Sequence, residues 1–125
     1  MENTERERTE RALRLESLKK RRDFLAAQSG LRAHSPAFVL TRSKSANQSG
    51  ETRVGFTVTR RIGNAVVRNR IKRRLRAAVG AVFSENAAAG FDYVLIARRS
   101  AATRNFASLL DDMKRVLLRL SALPK

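Results

Sequence analysis

The chain has no cysteine, no tryptophan, one tyrosine, one histidine and only two prolines among its 125 residues. Without cysteine there can be no disulfide, no thiolate metal site and no cysteine nucleophile, a composition that suits a reducing cytoplasm. The longest strand-like apolar run, Tyr93 to Ala97, is far too short to cross a bilayer. The opening MENTERERTERALR mixes acids with bases around no apolar core, so it reads as neither a secretory signal nor a transit peptide. The expectation is a soluble, cytoplasmic, single-domain protein with no membrane partner.

Groups for catalysis are equally scarce. His34 stands alone in a polar stretch beside Ser35 and Pro36. Asp111 and Asp112 are neighbours on a predicted helix, so they point about 100° apart and form no paired-carboxylate site. There is no metal-ligand cluster, no phosphate-cradling glycine loop and no nucleophile elbow. A stand-alone nuclease is therefore a poor reading, and no cofactor is expected on the chain itself.

What the sequence does hold is positive charge with an address. Formal net charge is +16, yet the first 23 residues carry eight bases and six acids, close to balance. From residue 52 to residue 84 there are nine arginines and lysines and no acid at all. Such a segment repels itself, and a polyanion relieves the repulsion.

Periodicity places that segment on structure. From Leu15 the apolar residues Leu15, Leu18, Phe24 and Leu25 suggest a first helix ending near Gly30, and LRAHSP reads as loop. AFVLTR, residues 37 to 42, and RVGFTVTR, residues 53 to 60, read as two strands joined by a polar loop, an antiparallel pair. Asn64 is placed to cap a helix whose seam is Val67, Ile71, Leu75, Ala78 and Val79. FDYVLIARR is apolar on both faces, as a central strand would be. Thr103 or Asn105 opens a last helix with the seam Phe106, Leu109, Leu110, Met113, Val116, Leu117 and Leu120. The order α-β-β-α-β-α describes an α+β sandwich of one domain, residues 18–125, behind a charged extension, residues 1–17.

With that seam buried, Arg68, Lys72 and Arg76 recur every four residues as one outward row, and Arg70, Arg73 and Arg74 take the remaining surface. Like charges at this spacing cost about 0.2–0.5 kcal/mol per pair. Arg68 near the positive end of the helix dipole adds roughly 0.3–1 kcal/mol. A row of phosphates reverses both signs, and arginine in preference to lysine favours bidentate contacts. Nucleic acid is the expected partner.

Residues 53 to 79, RVGFTVTRRIGNAVVRNRIKRRLRAAV, resemble the signature of the bacterial ribonuclease P protein subunit family. The resemblance extends over RDFLAAQSG, FVL at 38 to 40 and FDYVLIAR at 91 to 98, about residues 18 to 120 in all. It implies a protein cofactor of a ribozyme: an RNA subunit with magnesium ions removes the 5′ leader of precursor tRNA, and the protein widens its substrate range. It implies a monomer in a 1:1 complex with that RNA, and a sandwich like domain 2 of ribosomal protein S5 with a left-handed βαβ crossover. Carried onto this chain, the arginine–asparagine–arginine motif is Arg68, Asn69 and Arg70, with Lys72, Arg73 and Arg76 continuing the RNA face and Arg60 and Arg61 at the turn before it. Phe24, Phe38 and Thr41 are implied for a cleft that holds the single-stranded leader. Thr41 stands where relatives can carry tyrosine, and Ala26, Ala27 and Gln28 supply no second aromatic. The alternative class is a general basic RNA-binding or ribosomal-type protein, since fold does not fix function.

Overall fold

Strand β5, Asp92–Ala97, takes the middle of a five-stranded sheet in a computed structural model of the chain. The structure describes residues 15–18, 20–47 and 50–122. Its elements are β1 (Leu15–Ser17), α1 (Arg21–Gln28), β2 (Leu31–His34), β3 (Phe38–Arg42) and β4 (Thr52–Thr57), then α2 (Ala65–Asn86), β5 and α3 (Phe106–Ala122). Short 3-10 turns, Arg60–Ile62 and Arg99–Ala102, precede α2 and α3. The strand order is β1-β4-β5-β3-β2. No helix among the described residues is long and apolar enough to span a membrane.

The α+β class and the central place of β5 stand as the apolar pattern implied. Tyr93, Leu95 and Ala97 face a core shared with Phe38, Leu40, Val54, Ile71, Leu75 and Leu117. On the other face Val94 is fully buried, and α1 lies across β5 and β3 there. β4 and β5 are parallel neighbours, so the chain must cross over between them, and α2 makes the crossing.

Three local expectations change. The expected hairpin of residues 37 to 42 with 53 to 60 does not form: β5 lies between β3 and β4, antiparallel to the first and parallel to the second. A strand apolar on both faces gains most from the centre, and the polar loop is long enough to carry the chain past it. LRAHSP is not a loop, because Leu31–His34 pairs antiparallel with β3, its side chains alternating in and out. Four residues with alanine inside are too weak a period to read. The first helix starts at Arg21, not Leu15, since Leu15–Ser17 pairs parallel with β4 and covers the edge that β5 leaves open. The folded unit therefore begins before residue 18. The remainder of the proposed extension, residues 1–14, lies outside the described residues.

An ion-pair network joins these parts. Arg53 of β4 donates Nε and Nη2 to the two oxygens of Asp92, both at 2.7 Å, and Nη1 reaches Asp23 of α1 at 3.3 Å. Asn47 of the polar loop donates to the same Asp92 at 2.8 Å. A second pair, Arg104 to Asp112 at 2.5 Å, fixes α3, where Asp112 sits within the buried stripe at 1% exposure.

Removing one member of such a pair leaves an uncompensated buried charge. Arg53→Met should lower unfolding free energy by about 3 kcal/mol in urea titration, and Arg53→Met with Asp92→Leu should restore part of it. A second expectation concerns pH. Burial raises the Tyr93 hydroxyl above its ordinary 10.0, opposed by the Ala88 N–H and by Arg42. Above about pH 10 the unfolded tyrosine releases its proton before the folded one does, so stability falls as pH rises through that window. Tyr93→Phe should flatten this alkaline loss, measured as the difference in melting temperature between about pH 9 and pH 11.

Candidate RNA-binding surface

Helix α2 starts directly after β4, across the turn Arg60–Ile62 and Gly63. Asn64 caps it as the spacing implies, its Oδ1 accepting the Val67 N–H at 3.0 Å. Burial of Ile71, Leu75, Ala78, Val79 and Val82 sets the rotation of the helix about its axis. That rotation sorts the cations into three groups.

Asn69 and Arg73 point outward and are exposed. Arg68, Lys72 and Arg76 run along the β4 side, where the Arg76 guanidinium stands 5.8 Å from the centre of the Phe56 ring. Only Arg76 of that row is exposed; Arg68 and Lys72 are half-buried, and the Arg68 Nε is buried with no partner among the described residues. On the opposite side Arg70 donates Nε to the Ala102 carbonyl at 2.9 Å while remaining exposed. Arg74 donates Nε to the Ala101 carbonyl at 2.9 Å and Nη2 to the Arg104 carbonyl. Arg74 is thus a bolt between α2 and the turn before α3, not free surface charge. Its guanidinium also lies 5.8 Å from the centre of the Phe106 ring, which is 38% exposed and not seam.

Arg60 and Arg61 are exposed on the turn before α2. Among the described residues no carboxylate pairs with Arg60, Arg61, Arg68, Arg70, Lys72, Arg73 or Arg76. Three acids, Asp23, Asp92 and Asp112, are engaged with Arg53, Arg104 and Arg115. The result is a dense positive surface with no carboxylate paired to it among the described residues.

The expected leader cleft is altered. Phe38 has no exposure and lies inside the main core with Ile71, Leu75 and Leu117 of α2 and α3. Thr41 has none either, and its hydroxyl donates to the Val94 carbonyl at 3.4 Å. Both sit on β3, which has a strand on each side and cover on each face, so neither can meet a ligand. Phe24 does remain half-exposed, its ring lying on β4 at Gly55, where any Cβ would overlap it. Beside it Lys20, Arg21, Leu25 and Gln28 line a hollow of 390 Å³. A larger one, 700 Å³, opens between α1 and the polar loop, with Lys20, Arg22 and Lys44 among its walls. These cations escape a search for acid-free segments because they lie outside the 52–84 window. Their signal is the run Lys19 to Arg22 at the helix start.

A family model described as Ribonuclease P matches residues 12–121. This chain belongs to the ribonuclease P protein family. It is 43% identical over 118 residues to the ribonuclease P protein component of Paramagnetospirillum magneticum, covering 91% of this chain and 89% of that one. The component from Ruegeria pomeroyi is 46% identical over 107 residues, 84% of this chain and 86% of the relative. Among solved structures the RNase P protein from Thermotoga maritima superposes with a TM-score of 0.68 at 27% identity, covering 88% of this chain and 99% of that one. As a family member the chain is the RNA-binding protein subunit of a ribonucleoprotein of tRNA processing, with the ribonuclease P RNA as its partner.

The division between structural and surface arginines is measurable on the free protein. Arg74→Met should cost about 2 kcal/mol, because two carbonyls lose a charged donor, whereas Arg73→Met should change stability by less than about 0.5 kcal/mol. Thermal unfolding of the two variants side by side makes the comparison.

Proposed function

We propose that this chain grips the ribonuclease P RNA with Arg60, Arg61, Arg68, Asn69, Arg70, Lys72, Arg73 and Arg76 while the groove beside α1 holds the 5′ leader of precursor tRNA. The observation that carries the reading is the set of seven cations around the start of α2 with no acid among the described residues paired to any of them. Phosphates relieve their mutual repulsion, release counterions, and meet the free N–H groups of the first helical turn. Among the described residues lining the hollow beside α1, Phe24 is the aromatic, so a single base stacks there, worth about 1–3 kcal/mol. Lys20 and Arg21 hold the flanking phosphates.

Catalysis in this reading rests with the RNA subunit and its magnesium ions. The described residues contain no group of three or more His, Cys, Asp or Glu side chains able to hold a cation. The chain contributes position and charge: it lowers the repulsion between ribozyme and leader, so that less magnesium is needed and a wider range of precursors is cut. One protein acts with one RNA, in the cytoplasm, where a cysteine-free chain has no redox requirement.

The test combines activity with salt dependence. At low magnesium the chain should restore 5′ processing of precursor tRNA by a bacterial ribonuclease P RNA, and the protein alone should cut nothing. With about 5–6 phosphate contacts, log K for the RNA should fall against log salt with a slope of roughly −4 to −5. Arg68→Gln, Lys72→Gln and Arg76→Gln together should flatten that slope by about two to three units. An unchanged slope would place the row against solvent.

A further inference from the structure

The turn Arg99–Ala102 faces the start of α2 across a hollow of 630 Å³ that the phosphate contacts above do not use. Its inner walls are apolar, from Ile62, Val67 and Ala102. Gly63, Asn64, Arg99, Ser100 and Thr103 complete it, and no acid among the described residues lines it. The size lies within the range of sites that enclose small ligands, and the mixture of apolar wall with a few polar groups is theirs too.

The hollow is preformed. Arg70 and Arg74 bind the carbonyls of Ala102 and Ala101, both at 2.9 Å, and so hold the turn at a set distance from α2. Asn64 and the Val67 N–H pin the other wall at 3.0 Å. Three polar side chains of the lining have no partner for a donor among the described residues, the exposed Arg99 guanidinium and two neutral groups. Asn64 engages its Oδ1 in the cap and leaves its amide N–H₂ free, and the exposed Thr103 hydroxyl makes no hydrogen bond. Arg61 and Arg68 flank the wall residues Ile62 and Val67 in the chain, and Arg70 is one turn further on.

We propose that this hollow receives one unstacked nucleobase of the RNA strand whose phosphates lie against Arg61, Arg68 and Arg70. The proposal rests on the reading of α2 as an RNA-binding helix and adds a base contact to it. A nucleotide meets both halves of the site. Its flat heterocycle covers the apolar walls, its polar edge meets the Asn64 amide and the Thr103 hydroxyl, and its phosphates meet the arginines. A phosphodiester alone would leave the walls wet, and an apolar peptide would leave the cations unpaired.

Thr103→Trp places an indole at the mouth of the hollow without touching a charge. The probe is an unmodified bacterial ribonuclease P RNA, and affinity is read as a function of salt. Losing the base from the hollow should weaken binding about tenfold while the slope of log K against log salt stays that of the wild type. Thermal unfolding checks that the variant is folded, and Thr103→Leu, a smaller plug, is the second variant, with a loss of several-fold at the same slope. Wild-type affinity in both folded variants overturns the proposal. A loss accompanied by a flatter slope overturns it as well, since the site would then hold phosphate. If the wild-type chain itself fails to bind the RNA, the reading of α2 has failed, an outcome separate from either of these.

Discussion

The pair of hydrogen bonds from Arg53 to Asp92 holds together strands that are adjacent in space and far apart in the chain. Asp92 opens the central strand, and burying a carboxylate there requires a partner whose own position is fixed. Arg53 meets that condition because β4 lies beside β5 and α1 supplies Asp23 to its remaining nitrogen. Asn47 extends the same contact to the polar loop. Sheet order, helix placement and loop path therefore meet at one guanidinium.

The same arrangement governs the electrostatics of the outer surface. The chain has 11 acids against 27 arginines and lysines, and several of those acids are engaged within the fold. Asp92 and Asp112 are nearly inaccessible, and Asp23 is turned toward Arg53. Carboxylates used this way cannot neutralise α2, so internal stability and external charge share one cause. Arginine likewise has two employments. Arg53, Arg74 and Arg104 use their forked donors on carboxylates or carbonyls inside the fold, while Arg60, Arg61 and Arg73 stand exposed with no carboxylate partner among the described residues.

The long periodic elements were legible in the residues. The seam of α2, its Asn64 cap, the apolar stripe of α3 and the two-faced β5 each repeat a signal over several turns or positions. β1 and β2 are three and four residues long, too short for a period to rise above chance, and pairing partners are not written in either strand. Charge counting located the most basic helix but overestimated its free surface, because Arg74 looks the same in sequence as Arg73. Asp112 could have been noticed: it stands three residues after Leu109 and four before Val116, within a stripe that is otherwise apolar. Phe38 and Thr41 came from resemblance alone, and their burial follows from β3 having neighbours on every side.

The strand order has a consequence for how the chain acquires its shape. β1, β4, β3 and β2 all precede β5 in the sequence, yet β5 separates β4 from β3. As the chain leaves the ribosome, the earlier strands can form only two disconnected ribbons, β2 with β3 and β1 with β4. The strand that joins them emerges last, after the most repulsive stretch of the polypeptide has already been made. Assembly is therefore concerted and late, with a high proportion of distant pairings, and no N-terminal fragment ending before residue 92 contains a continuous sheet.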